Sequence, residues 1–301
     1  MTSGSLTYNL GDIFDFSLIK SKIAERAART FEVELHAHPI GLKRYGLENI
    51  IDIAKKNNLD AVALEDYNDY IFPELVSMSK TLEKKYKIEF NRDLIKISDN
   101  KSSFYIFNAV ELMTKEGFHI IGLGHSYYKE GESIHKILKS DFTIIDHPTV
   151  DAEYPYQKIG YEKSKELVNI CQKYPKKIAL EWNAYCLNYI WYFLDEDVNK
   201  ITEKFADLNN LPVVADTDLH GWNKRLMEDL GKSRIKLDYK DIDMNISYLV
   251  PSIKQAILDK KHENVKRYVS FPHFIEAFGI PIVLNNIHSA INPHVRGNVK
   301  R

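Results

Sequence analysis

Residues 31–64 read FEVELHAHPIGLKRYGLENIIDIAKKNNLDAVAL. The run 31–35 predicts a β-strand, and Leu47, Ile50, Ile51 and Ala54 then stand at i, i+3, i+4 and i+7, one apolar face of an α-helix. Residues 61–64 predict the next strand. Strand, helix and strand in this order form a βαβ unit, whose strands lie parallel in one sheet.

The alternation recurs downstream. Residues 104–112 and 119–123 predict two strands around a turn at Lys115-Glu116-Gly117, and 142–146 another strand. Leu167, Ile170, Cys171 and Tyr174 mark a helix before a strand at 178–181, and Val198, Ile201, Phe205 and Leu208 one before a strand at 212–216. Leu249, Ile253, Ala256 and Ile257 predict a closing helix. The class is α/β, as a barrel or a doubly wound sheet. Residues 75–103 are lysine-rich and poorly patterned, which predicts a helix with an exposed insertion. No internal repeat interrupts the pattern, so one domain is expected over 1–265. An extension of net charge +4 follows over 266–301, expected to be solvated or to touch another subunit, with its apolar stretch 274–284 packing on the barrel or on another subunit.

The 301 residues carry 41 Lys+Arg against 42 Asp+Glu, and 44% are hydrophobic. A chain of this kind supports a large core and is not disordered in general. Near-neutral charge supplies no strong pull on a phosphate backbone, so nucleic acid is not expected as a partner beyond a short nucleotide. The longest uncharged apolar run, 182–194, contains Asn183 and Asn188 and is shorter than the roughly 18 to 20 residues of a membrane span. Residues 1–10 show no secretory leader, which gives a cytoplasmic expectation. Cys171 and Cys186 are read as reduced packing thiols.

The chemistry concentrates at strand ends. His36 and His38 stand at i and i+2, so both imidazoles leave the same face of a strand, and Asp218 and His220 repeat that spacing. Other apolar runs close on Glu111, on Asp146-His147 and on Asp216. Imidazole and carboxylate together suit divalent first-row metals, and barrel strands bring their C-terminal ends to one mouth. Taken singly, Asp146 and Asp216 read equally well as loop caps and Glu181 as a buried hydrogen-bonding partner.

Seven segments in order then resemble the PHP (polymerase and histidinol phosphatase) family. They are Glu34-Leu-His36-Ala-His38, Ala61-Val-Ala-Leu-Glu-Asp66-Tyr67-Asn68, Val110-Glu111, His119-Ile-Ile-Gly-Leu, Asp146-His147-Pro148, Ala179-Leu-Glu181-Trp-Asn183 and Asp216-Thr-Asp218-Leu-His220, spanning about residues 31–222. The resemblance implies a distorted (β/α)7 TIM-like barrel and a metal cluster at its mouth that hydrolyses phosphate esters. By motif, His36, His38, Glu111 and Asp218 correspond to one metal site, and Glu111, His119 and His147 to a second, with Glu111 bridging. His125, at the end of the same strand as His119, is the alternative ligand.

Two departures from the family stand out. Between positions 39 and 47, where the family places an Asp or His, the only ionic side chains are Lys43 and Arg44, and Asp66 is followed by Tyr67 where the family has His. His220 therefore lacks both expected co-ligands. Two divalent ions, zinc, manganese or iron, are expected, with the third position, where His220 is the remaining metal ligand, empty or weakly occupied. His220 is then released to act as a general acid, and Lys43, Arg44 or Tyr67 to hold the phosphate. The expected function is a metal-dependent phosphoesterase that hydrolyses a small phosphomonoester or short nucleotide with a metal-activated water. The alternatives are a degenerate PHP domain that binds metal or regulates without turnover, and a C–N hydrolase.

Overall fold

A computed structural model describes residues 29–38, 46–66, 70–124, 128–148, 150–151, 154–158, 161–186, 197–221 and 223–279. Strand β1 (Thr30–His38) is followed by α1 (Leu47–Lys56), β2 (Ala61–Leu64) and α2 (Phe72–Lys80). Next come β3 (Lys87–Phe90), β4 (Leu94–Ser98), β5 (Ser103–Met113), β6 (His119–Leu123), α3 (Ile134–Ser140) and β7 (Thr143–Ile145). A small hairpin of β8 (Val150–Asp151) and β9 (Tyr154–Lys158) stands apart from the main sheet, before α4 (Tyr161–Lys173). The chain continues through β10 (Ile178–Asn183), α5 (Val198–Leu208), β11 (Val213–Asp216), β12 (Leu219–His220), α6 (Lys224–Met227) and β13 (Arg234–Asp238). It closes with α7 (Leu249–Leu258), β14 (His262–Val265) and α8 (Phe271–Phe274).

One sheet runs β11-β10-β7-β6-β5-β2-β1-β13-β14, with β12 beside β1 and the β3–β4 hairpin on β5. β1, β2 and β5 are parallel, as are β7, β10 and β11. The short turn after β5 forces β6 to return antiparallel between the two sets. β13 is antiparallel to β1. The sheet curls until its edges β11 and β14 meet, and side chains complete the seam. Asn264 Oδ1 accepts from Ala215 N at 2.8 Å, while Asn264 Nδ2 and His262 Nε2 each reach the Val213 carbonyl at 2.7 Å. The protein is thus a distorted α/β barrel of the TIM-like kind, its distortion lying in β6 and β13.

Inward-facing Val33, Leu35, Ala63, Phe107, Ala109, Ile121, Ile144, Ala179 and Val214 fill the barrel, and α7 packs Leu249, Val250, Ile253 and Ile257 into the same cluster. Helices α1 and α2 cover one stretch of the outer face, and α3, α4 and α5 another. The 75–103 region corrects the sequence expectation, because only its helix is as foreseen. Leu94, Ile95 and Ile97 are fully buried, so β4 is an integral strand. The described part of 266–301 also differs from a solvated tail. Val269 N donates to the Ala184 carbonyl at 3.1 Å, and Val269 and Ala277 are buried against Trp182 and Tyr185.

Gly231, at φ +73°, donates its N–H to Glu34 Oε2 at 3.1 Å. A Cβ there would lie 2.6 to 2.9 Å from three side-chain atoms of buried Leu59. Left-handed backbone costs a non-glycine residue about 1–2 kcal/mol and overpacking about 1–3 more. Gly231→Ala is expected to lose about 3 kcal/mol of stability, read as a lower urea midpoint at an unchanged slope.

Candidate metal centre

The centre forms because the inward face of each strand changes from apolar to titratable at one end of the barrel. On the parallel strands, Ala63, Ala109, Ile144, Ala179 and Val214 belong to the interior cluster. Two residues further on the same face stand Glu65, Glu111, Asp146, Glu181 and Asp216, all buried. On antiparallel β6 the order reverses, from Ile121 back to His119. β1 needs a device of its own, since Leu35 already points inward. Its register with β2 shifts between Glu34 and Ala37, after which Ala37 packs outward and His36 and His38 face the mouth. Re-aiming side chains beside a site is a recurrent use of a β-bulge.

Three groups of ligand-type side chains result, of which His36, Glu181 and Asp216 form one that shares His36, and the other two are the ligand sets described next. In the first, His36 Nε2 lies 2.9 Å from His38 Nε2 and 3.4 Å from Asp218 Oδ1, and His38 Nε2 lies 3.7 Å from Asp218 Oδ1. Ligands bound tetrahedrally at about 2.0–2.1 Å stand about 3.3 Å apart, which these separations bracket. The second set is Glu111, His119, Asp146 and His147, with one ligand atom of each inside a 4.8 Å span. Glu111 joins the two, its Oε1 2.7 Å from His119 Nδ1 and its Oε2 3.1 Å from His38 Nε2. The residues fit a pair of divalent ions.

The electrostatics point the same way. Glu34, Glu65, Glu111, Asp146, Glu181, Asp216 and Asp218 are all buried at this end of the barrel, yet no lysine or arginine is buried among the described residues. Isolated buried carboxylates are too costly to keep, so the compensating charge is protons or metal cations. Glu34 is met by the backbone N–H groups of Thr217 and Gly231 and the Thr217 hydroxyl, though burial still raises its pKa to about 7. Burial pushes Glu65, Asp146 and Asp216 well above the usual range; as carboxylates Glu65 and Asp216 have no hydrogen-bond donor among the described residues, while Asp146 Oδ2 has His147 Nε2 at 2.9 Å. Burial also acts on Glu111, but donation from His119, His36 and His38 holds it well below the usual range. His36 is the reverse case: burial lowers its pKa, and the charges of Asp146, Asp218 and Glu181 more than reverse that.

No protein-family model matches the sequence, and no curated protein matches it. Among solved structures, PsfC from Pseudomonas syringae PB-5123 is similar at TM-score 0.49 and 13% identity, over 86% of this chain and 98% of that one. Endonuclease Q, solved with a 27-mer duplex bearing an abasic lesion, is similar at TM-score 0.45 and 16% identity. That likeness covers 79% of this chain and 60% of the endonuclease chain. A candidate metal-dependent phosphoesterase from Bifidobacterium adolescentis gives 0.38 and 10%, over 64% and 88%. At these levels the chemistry rests on the residues themselves.

Of the residues named from sequence, His36, His38, Glu111, His119, His147 and Asp218 come together. His220 stands at the rim, its ring 4.9 Å from that of His38. Its Nδ1 donates to the Asp218 carbonyl at 2.9 Å, so in the neutral ring Nε2 carries the lone pair. Burial lowers the pKa of His220, and the same holds for His147. Lys43, Arg44, Tyr67 and His125 lie outside the described residues. Sequence reasoning gave Glu65 and Glu34 no role, and it took Asp146 and Asp216 as strand-end carboxylates that singly read as loop caps. The signal was present: each of Glu65, Asp146 and Asp216 sits two residues after an inward apolar side chain.

Backbone strain marks the same place. Five described non-glycine residues have positive φ: Asn58, His147, Asn210, Asp218 and Lys260. Asn58, Asn210 and Lys260 follow the ends of α1, α5 and α7, an ordinary left-handed position. The other two, His147 and Asp218, belong to the two ligand sets, where strain is held by surrounding contacts. Among the described residues no helix is long and apolar enough to cross a membrane.

Proposed function

We propose that the chain is a metal-dependent hydrolase of phosphate esters, acting on a small phosphomonoester or short nucleotide at a binuclear centre. The observation that carries this reading is the set of seven buried carboxylates with the buried imidazoles of His36 and His38 and the partly exposed ones of His119 and His147, without a buried Lys or Arg among the described residues, arranged at ligand separations around Glu111. Divalent ions held there supply Lewis acidity toward a phosphoryl oxygen and lower the pKa of a bound water. His36, His38 and Asp218 hold one ion, and His119, His147 and Asp146 the other, with Glu111 shared. The side chains of His119, His147 and His220 are 11%, 17% and 27% exposed, so substrate approaches across them. His220, neutral with its Nδ1 proton already donated, offers Nε2 as a proton acceptor or ligand. It serves as general acid only once that nitrogen is protonated.

The test pairs metal content, on protein prepared without chelator, with turnover of p-nitrophenyl phosphate and of an amide substrate in added manganese or zinc. About two equivalents and metal-dependent release of p-nitrophenol are expected. Absence of metal under every loading condition overturns the site assignment. Metal-dependent amide cleavage without ester cleavage moves the reading to C–N hydrolysis.

A further inference from the structure

We propose that Glu181 and Asn183, at i and i+2 on β10, couple the two halves of the metal centre, so that each ion binds at full strength only while both residues are in place. The inference rests on the reading of the cluster as a two-ion site. Glu181 is fully buried. Its Oε1 accepts from His36 Nδ1 at 2.6 Å. That bond fixes the ring tautomer and leaves His36 Nε2 facing His38 and Asp218 in the first set. Its Oε2 accepts from the backbone N–H of His147 at 2.8 Å. His147 is strained at φ +24°, so this bond helps hold the turn that aims its ring at the second set.

Asn183 extends the link. Its Nδ2 donates to Glu181 Oε2 and to Asp218 Oδ2, both at 2.9 Å, leaving Asp218 Oδ1 directed at His36 and His38. The orientation of this amide is not ambiguous. Asn183 Oδ1 accepts from Tyr185 N at 2.9 Å, so the nitrogen has to face the two carboxylates. The main chain of Asn183 is clamped in turn by Asn199, which accepts from Asn183 N at 3.0 Å and donates to its carbonyl at 2.9 Å. Three donors therefore converge on one carboxylate: an imidazole of the first set, a backbone N–H of the second, and an amide leading to Asp218. A glutamine at 181 would turn an NH2 group toward at least one of them.

Glu181 is on this argument a positioning residue, and metal binding is the readout that tests it. Titration with Co2+, followed by its visible absorption and by calorimetry, should show both ions bound about 10- to 100-fold more weakly in Glu181→Gln, with two equivalents still reached at saturation. Glu181→Asp, which keeps the charge, should recover part of that loss. A folded Glu181→Gln protein that binds either ion with wild-type affinity overturns the coupling. If that variant does not fold, Asn183→Ala decides: weaker binding of both ions, most of all at the set containing Asp218, supports the proposal, and wild-type binding of either ion refutes it. Turnover plays no part in this measurement. Two ions sensitive to Glu181 in a protein that hydrolyses nothing would refute the phosphoesterase reading and leave the coupling standing, and the converse result would do the opposite.

Discussion

Glu111→Ala is expected to lower kcat/KM for a phosphate ester by about 10^3-fold, the loss of about 4 kcal/mol of transition-state stabilisation. Glu111 turns one oxygen to a ligand nitrogen of each set, Oε1 at 2.7 Å from His119 Nδ1 and Oε2 at 3.1 Å from His38 Nε2. Its removal leaves each set one ligand short and separates them. The damage should therefore appear in kcat as well as KM, because stabilisation of developing charge by two ions held together is a transition-state effect. The apo fold should survive, since neighbouring Val110 and Leu112 pack outward and are unaffected. Circular dichroism, metal content and steady-state kinetics on one preparation check this. Wild-type turnover in a protein holding two ions would show that Glu111 does not bridge.

The fold and the site were legible in the sequence to different depths, for physical reasons. Two spacings carried most of it, i, i+3, i+4 for the helix over 47–56 and i, i+2 for His36 and His38, while over 198–208 the apolar spacing found the helix but not its face, since Leu208 is exposed and Val198, Asn199, Thr202 and Ala206 are buried. Parallel strands joined by helices leave few arrangements, and the hairpin around Lys115-Glu116-Gly117 is visible in its turn residues. The bulge in β1 is not visible, because a register shift depends on the neighbouring strand as much as on the local residues. β4 escaped notice because Lys96 interrupts an otherwise apolar run, Leu94, Ile95 and Ile97, on a strand buried by β5 and the outer layer. The packing of Val269 was hidden by the basic residues before it, whereas Ala277 lies in the apolar stretch 274–284, for which packing on the barrel was one of two expectations. In the site, imidazoles announce themselves by type, whereas a buried carboxylate such as Asp216 looks in one dimension like a loop cap. What separates the two is the inward apolar partner two positions earlier, Val214 in this case, and using it requires knowing which face is inward.

Removing metal should lower Tm by about 10 °C. An ion that binds only the folded chain stabilises it by about 2.7 kcal/mol at a hundredfold excess over Kd, so two ions give about 5 kcal/mol. For a chain of somewhat over 250 residues, each kcal/mol moves Tm by roughly 2 °C or more. The pH dependence has a definite sign. In the metal-free protein Glu65, Asp146, Asp216 and His36 all have pKa values raised well above their ordinary ones, so the folded state binds more protons than the unfolded state. Their contribution is complete below the unfolded pKa values and is lost as pH rises through the folded ones. Glu111 and Glu181 behave oppositely, since their pKa values are held low and their contribution is lost only as pH falls into the acid range. His147 and His220, held low by burial, act oppositely only below the ordinary histidine range, so from pH 7 to pH 8 the first group governs, and the chelated protein should weaken as pH rises. Over the same interval protons compete less for the ligands, so the loaded protein should hold its ions more tightly. Scanning calorimetry with and without chelator at pH 7 and pH 8 should therefore show a Tm difference that widens with pH. A difference that stays constant, or a Tm that chelator does not move, would mean that protons rather than cations neutralise the buried carboxylates.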